Sequence, residues 1–149
     1  MDSIEALKAC VADTLENIAF QEVSSLASNP LPQAVLRSFR QGRINIYSPW
    51  QGTFVITLSP SLLKILTANI YGLDPETSES SMEEDTLAEL LNTIAGAWMR
   101  AITDHNHPYE LGLPDIERMG YLDCTGADMR CFFRADDDFF EVGFFNSTE

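Results

Sequence analysis

Residues 81–100 read Ser-Met-Glu-Glu-Asp-Thr-Leu-Ala-Glu-Leu-Leu-Asn-Thr-Ile-Ala-Gly-Ala-Trp-Met-Arg, and this segment sets the architecture of the chain. At roughly 100° per residue, its apolar side chains collect on one side of a helix. They are Leu87, Leu90, Leu91, Ile94, Trp98 and, just beyond the segment, Ile102. The spacing predicts a long amphipathic helix from Ser81 to Asp104, with Ser81 and Glu84 as a capping box.

The opposite side of this helix carries a polar stripe of Asp85, Glu89, Asn92 and Gly96, within about 60° of one another. Gly96 leaves the stripe bare, and Met99 places a flexible apolar side chain beside it. We therefore predict a partner-binding surface in which Asp85, Gly96 and Met99 contact the partner. A plain solvated helix face is the other interpretation of the same pattern.

Glu89 and Asn92 are the candidate catalytic pair. A carboxamide both donates and accepts hydrogen bonds, so Asn92 can hold one water molecule in a fixed orientation. Glu89 can accept a proton or pair with a lysine of a partner. This chemistry suits hydrolysis of a labile phosphoryl group that another molecule supplies together with its metal ion.

Composition narrows the classes of function. A chain of 149 residues with 45% hydrophobic content is most simply one domain, residues 1–149. The net charge of −14, with no basic stripe, argues against nucleic-acid and membrane partners. We find no signal peptide, no apolar run of the roughly 20 residues that cross a bilayer, and no metal-ligand spacing. Three cysteines without a C-x-x-C motif are typical of a reduced, cytoplasmic protein.

The rest of the chain alternates between helical and strand patterns. A first helix is expected over 3–25 with Asp2 at its cap, and a short one between a Ser59 cap and Gly72. Strands are expected within 33–58, 114–120, 124–134 and 139–145. We predict an α+β fold, in which two long helices and a short helix pack on two small, mostly antiparallel sheets.

A weak internal duplication of a helix-plus-strands unit is also expected. Asp13-Thr14-Leu15 on the first helix matches Asp85-Thr86-Leu87 on the long one, and a strand-rich stretch follows each helix.

The long helix resembles the signature of the CheC/CheX/FliY family of chemotaxis phosphatases. The matching pattern is Asp85-x3-Glu89-x2-Asn92, then Ile94-Ala95-Gly96, then Pro114. Residues 52–58 and Tyr71-Gly72 are similar to the family's hairpin and the glycine that ends its short helix. When Asp13 is aligned with Asp85, Asn17 and Phe20 stand where a second site would need Glu and Asn. The chain therefore resembles the single-site CheX-like branch with its CheC-like fold.

This resemblance implies a substrate, a mechanism and an assembly. The substrate would be the phosphoaspartate of a CheY-like response-regulator receiver domain. Glu89 would pair with the receiver's lysine, and Asn92 would orient the attacking water. Mg²⁺ would sit in the receiver, so this chain would bind no cofactor itself. The resemblance also implies a homodimer, for which the aromatic-rich end strands would serve.

Two other functions remain open at this point. The first is a non-catalytic adaptor module that holds a receiver or a flagellar-switch protein with the same helix. The second and weaker one is a small-ligand sensor. The presence of both Glu89 and Asn92 favours the phosphatase, because an adaptor has no need of a water-orienting amide.

Overall fold

A seven-stranded antiparallel sheet, with three of the helices packed on one face around a shared core, forms the frame of the molecule. The computed structural model describes residues 2–103, 106, 108–117 and 120–147. The helices are α1 Ser3–Ala19, α2 Gln33–Leu36, α3 Pro60–Tyr71 and α4 Ser80–Ile102. The strands are β1 Ser24–Leu26, β2 Arg40–Ser48, β3 Gly52–Leu58, β4 Glu110–Leu111, β5 Asp115–Ile116, β6 Met129–Ala135 and β7 Asp138–Asn146.

The strand order is β1-β6-β7-β3-β2-β4, and β5 also pairs with β2. The predicted α+β class with antiparallel strands is confirmed, but the prediction of two small sheets is wrong. The reason is that β3 and β7 pair along the whole of β3, from Gly52 opposite Asn146 to Leu58 opposite Phe140. This pairing joins the β2–β3 and β6–β7 hairpins into one sheet.

Local capping explains where α1 and α3 begin and end. The Asp2 carboxylate accepts a hydrogen bond from the Ile4 amide at 3.3 Å, and Ser59 caps α3 through the Leu62 amide at 3.2 Å. Both caps were predicted. However, α1 ends six residues early at Ala19, because Phe20 adopts a left-handed conformation with φ 54°. The predicted Ser81–Glu84 capping box is wrong, since α4 begins at Ser80 after Glu79 and has no side-chain cap.

The apolar side of α4 packs on the sheet as the sequence predicts. Leu87, Leu91, Ile94 and Trp98 are fully buried in a core shared with α1 and α3. The Trp98 ring lies 5.1 Å from the Phe144 ring in an edge-on arrangement, and its indole donates a hydrogen bond to the Ser3 carbonyl at 2.9 Å. Thus α4 is fixed both to the sheet and to the first turn of α1.

Three of the predicted strand regions differ from the structure. The region predicted from Cys124 begins with a 3-10 turn, Cys124–Gly126, and its strand β6 starts only at Met129. The stretch from Gln33 begins with the short helix α2, and in the described part of 114–120 only Asp115 and Ile116 pair with β2. The aromatic-rich strands β6 and β7 are not sheet edges, because β7 lies between β6 and β3 and β1 covers part of β6. Their use as dimer-forming edges is therefore wrong. Among the described residues, no helix is both long and apolar enough to cross a bilayer.

Gly52 provides a test of the packing under α4. A Cβ atom at this position would clash with the carbonyl oxygen of Phe145 and with the ring of Phe144. Backbone cannot move away as a flexible side chain can, so we expect Gly52→Ala to lower the free energy of unfolding by about 2–3 kcal/mol. Urea denaturation measures this change. The control is Gly126→Ala, whose new Cβ meets nothing within 4 Å, and equal stability of the two variants would contradict the packing argument.

Candidate functional site

Asp85, Glu89 and Asn92 lie together on the exposed side of α4, as predicted. The backbone beneath them is rigid, because the adjacent Leu87, Leu90, Leu91 and Ile94 are almost completely buried. Within the described residues, the side chains of Asp85 and Asn92 have no hydrogen-bond or ion-pair partner. Both groups are therefore available to a second molecule.

Thr93 holds the Glu89 carboxylate. Its hydroxyl donates a hydrogen bond to Glu89 Oε1 at 3.1 Å, one helical turn away. This contact leaves Oε2 free to accept from a partner and limits the rotamers of a side chain that is otherwise exposed. Sequence analysis did not single out Thr93, although its i, i+4 spacing from Glu89 was visible.

A buried carboxylate, Glu83, fixes the first turn of α4. Its Oε1 atom accepts from Arg40 Nη1 at 2.8 Å, and its Oε2 atom accepts from Lys64 Nζ at 3.0 Å and Ser78 Oγ at 2.7 Å. These partners belong to β2, α3 and the connector before α4. We call this cluster of Arg40, Lys64, Ser78 and Glu83 the Glu83 anchor. It was missed because Glu83 is one of two consecutive glutamates, and the neighbouring Glu84 was assigned the capping role.

The Glu83 anchor also perturbs the titration of its carboxyl. Burial alone would raise the pKa of Glu83, but hydrogen bonds from Ser78, Lys64 and Arg40 outweigh burial and lower the pKa below its ordinary value. The group therefore stays ionised at neutral pH. The Glu83 anchor holds the start of α4, and Trp98 holds it near its end. The part of the helix between them, which carries Asp85, Glu89 and Asn92, is therefore fixed.

Met99 does not belong to the surface stripe. It is fully buried in the core, so the prediction that it contacts a partner is wrong. Its direction differs from that of Gly96 by about 60°, toward Ala95 on the core side. The segment after α4 also packs against the core, because Tyr109 and, in β4, Leu111 are partly buried there.

Gly96 is also buried, and residues of the same chain occupy the space above it. A Cβ atom at Gly96 would lie 3.4 Å from both Arg100 Nη1 and Tyr109 Oη. The expectation of a bare stripe open to a partner is therefore wrong at this position. We refer to Gly96, Arg100 and Tyr109 together as the Gly96 notch.

The two histidines after α4, His105 and His107, lie outside the described residues together with Asp104. The His-x-His spacing beside Asp104 supplies no clear set of metal ligands, so we predict a polar helix end there rather than a metal site.

The part of the chain that carries the polar stripe matches a known protein family. The family profile described as chemotaxis phosphatase CheX matches residues 40–128, which include β2, β3, α3, α4 and the whole polar stripe. The chain belongs to the CheX family. The resemblance seen in the sequence is thereby confirmed. Among curated proteins, none matches the chain.

Solved structures of CheX proteins share this fold. The CheX chemotaxis protein of Vibrio vulnificus is 18% identical, with 97% of each chain covered and a TM-score of 0.73. A CheX–CheY–BeF3–Mg complex from Borrelia burgdorferi gives 15% identity, 99% coverage of each chain and a TM-score of 0.72. FliY of Thermotoga maritima is more distant, with 12% identity, 94% of this chain and 85% of that chain covered, and a TM-score of 0.61. At these identities, the likenesses establish the fold alone.

The Glu83 anchor of this CheX-family chain generates a pH-dependent prediction. Glu83→Gln removes the charge that pairs with Arg40 and Lys64, and we expect it to lower the free energy of unfolding by about 2 kcal/mol at pH 7. Because folding lowers the pKa of Glu83, its contribution is present above the ordinary value of 4.5 and is lost as the pH falls through the lower folded pKa. Urea denaturation at pH 7 and below pH 4 measures both effects.

The exposed neighbour Glu84 offers a matched control. Glu84→Gln makes the same chemical change on the same turn and should alter the free energy of unfolding by less than about 0.5 kcal/mol. If the free energy of unfolding of Glu83→Gln differed from that of the parent by the same amount at both pH values, the ionic role of Glu83 would be contradicted.

Proposed function

We propose that this chain is a phosphatase that hydrolyses the phosphoaspartate of a CheY-like response-regulator receiver domain. The observation that carries the proposal is the exposed pair of Glu89 and Asn92, three residues apart on a helix that is anchored on both sides of them. Membership of the CheX family supports the activity. The Borrelia CheX was solved in a complex with CheY, and its fold matches this chain along nearly the full length.

In the proposed mechanism, the exposed side of α4 docks on the phosphorylated site of the receiver. Glu89 accepts a hydrogen bond from the receiver's lysine through the oxygen that Thr93 leaves free. The Asn92 amide holds a water molecule in line with the phosphorus atom. Asp85, one turn before Glu89, supports docking.

The reaction needs no covalent chemistry from this chain. Water attacks phosphorus, the bond between phosphorus and the aspartyl oxygen breaks, and the receiver aspartate leaves as a carboxylate. Both protons of the water depart with inorganic phosphate. Mg²⁺ bound in the receiver would supply the charge neutralisation at the phosphoryl oxygens, so this chain would contribute positioning alone. Because receiver domains act inside the cell, the proposal places the protein in the cytoplasm.

A non-catalytic adaptor is the second candidate function. The likeness of the fold to that of H. pylori FliM, solved in a complex with SpeE, favours it, since the same architecture is found there in a complex with another protein. An adaptor would bind a receiver or a flagellar-switch protein through the same exposed helix. The two candidates differ in one measurable respect, because only the phosphatase accelerates release of phosphate from the receiver.

The catalytic pair is tested by phosphate release from phosphorylated receivers. We expect Asn92→Ala to reduce the catalysed rate by about 100-fold while binding persists, because the water loses its oriented partner. Glu89→Ala should weaken both the rate and binding, by about tenfold, through loss of the contact with the receiver's lysine. Fluorescent detection of released phosphate measures the rate, and titration of the receiver measures binding.

Matched controls are available at exposed positions of α1 and α4. Asn17→Ala on α1 removes an equivalent amide, and Glu84→Gln removes a carboxylate at an exposed position of α4 that lies about 100° around the helix from Asp85. Both should retain the parent rate. If Asn92→Ala kept the parent rate as well, the role of Asn92 would be rejected. Binding of the parent without any acceleration would favour the adaptor.

We further propose that the chain forms a homodimer through the outer side of β2 and β4. Leu113, which follows β4, is 91% exposed, and Tyr47 of β2 is 48% exposed, so two large apolar side chains lie near one sheet edge. Sedimentation analysis should give twice the chain mass for the parent and the chain mass for Leu113→Glu. Leu73→Glu, at an exposed apolar position after α3, should remain dimeric. A monomeric parent would overturn this proposal.

A further inference from the structure

The long helix carries one cation among several acids. Between residues 80 and 102 its charged residues are Glu83, Glu84, Asp85, Glu89 and Arg100. Arg100 lies two turns beyond Asn92 and one turn beyond Gly96, so it continues the polar stripe toward the end of α4. Its side chain is exposed, unlike the neighbouring Met99.

The Gly96 notch fixes where the Arg100 charge is located. The guanidinium reaches back along the helix, since its Nη1 atom lies 3.4 Å from the position of a Cβ atom on Gly96. Tyr109 Oη, the same distance from that position, accepts a hydrogen bond from Nη1 at 2.7 Å. Since Gly96 is one turn after Asn92, the positive charge is held roughly 6 Å along the axis from the amide.

The charge of Arg100 is not neutralised by its fixed contact. Its hydrogen-bond partner is a neutral phenol, and within the described residues it forms no ion pair. Arg100 also faces α1, where burial raises the pKa of the Cys10 thiol, the charge of Asp13 raises it further and the charge of Arg100 lowers it. Further N–H groups of the guanidinium remain available to an incoming carboxylate or phosphate.

The receiver domain of the proposed function is itself acidic, so a positive charge on this chain, such as that of Arg100, favours their association. The chain has a net charge of −14, and its polar stripe begins with carboxylates. A phosphorylated aspartate and the acidic residues that hold its metal ion would be repelled by such a surface. A fixed cation at the edge of the catalytic pair reverses that repulsion locally and orients the partner during the encounter.

We propose that Arg100, held in the Gly96 notch by Tyr109, is a docking residue that binds the acidic, phosphorylated face of the receiver. This inference rests on the proposed function and names how the same site recognises its partner. Arg100 acts on encounter and binding, and Asn92 acts on the chemical step. Tyr109 is a positioning residue, since it acts through Arg100.

The test separates binding from chemistry. For Arg100→Glu we expect the KM for the phosphorylated receiver to rise about tenfold at low salt, with kcat within about twofold of the parent. The effect should shrink in 0.5 M NaCl, since salt screens the charge. Arg100→Lys keeps the charge and should stay within about threefold of the parent KM, and Tyr109→Phe should lie between Arg100→Lys and Arg100→Glu.

Binding is measured independently of hydrolysis in the Asn92→Ala background, with a receiver carrying Mg²⁺ and beryllofluoride as a phosphoryl mimic. The dissociation constant should rise with Arg100→Glu by the same factor as KM. Arg37→Glu is the matched control, because it makes the same change in net charge at an exposed residue outside α4 and should alter binding by less than about twofold. Circular dichroism and thermal midpoints equal to the parent exclude misfolding as the cause.

The outcomes separate this inference from the proposed function. If the parent binds the receiver and Arg100→Glu behaves like Arg37→Glu, the docking role is overturned while the phosphatase stands. If the parent binds without hydrolysis, the phosphatase fails, and the docking role is still decided by the dissociation constants. If the parent binds no activated receiver, both are overturned.

Discussion

Burial of the apolar side of α4 against the sheet is the interaction on which the rest of the structure depends. Leu87, Leu91, Ile94 and Trp98 are completely buried, so the helix cannot rotate about its axis without exposing large apolar surface. Its other side must then face outward, and Asp85, Glu89 and Asn92 follow from that orientation. The core therefore determines the direction of the candidate catalytic groups, although none of them belongs to it.

The ends of this helix are fixed by polar contacts of different kinds. The Glu83 anchor ties the first turn to β2 and α3 through one buried carboxylate, while the indole of Trp98 donates a hydrogen bond to the start of α1. The helix between the Glu83 anchor and Trp98 needs no active-site cavity of its own, because the proposed chemistry takes place where a second protein covers the helix. Such a site requires rigidity and exposure together, which explains why an amphipathic helix suits it better than a loop.

Local sequence patterns predicted the parts of the fold that depend on neighbouring residues. The Ser59 cap, the Pro60 start and the Gly72 end of α3 are set by hydrogen bonds and backbone angles within a few residues. Patterns failed where distant pairing decided the outcome. The β3–β7 pairing joins residues about ninety positions apart, and no periodicity in either strand distinguishes one large sheet from two small ones. Met99 was misplaced because its burial depends on how far the core and the loop after α4 extend around the helix.

The sequence by itself determined the helix, its buried side and the grouping of Asp85, Glu89 and Asn92, because helical spacing converts positions along the chain directly into directions in space. The residue pattern from Asp85 to Pro114 was likewise enough to show the resemblance to the CheX family. Only the tertiary structure decided that Gly96 is covered, that Tyr109 holds Arg100 beside it, and that Arg40 and Lys64 converge on Glu83. These contacts join residues from separate elements. Their geometry exists only after the sheet and helices have packed together.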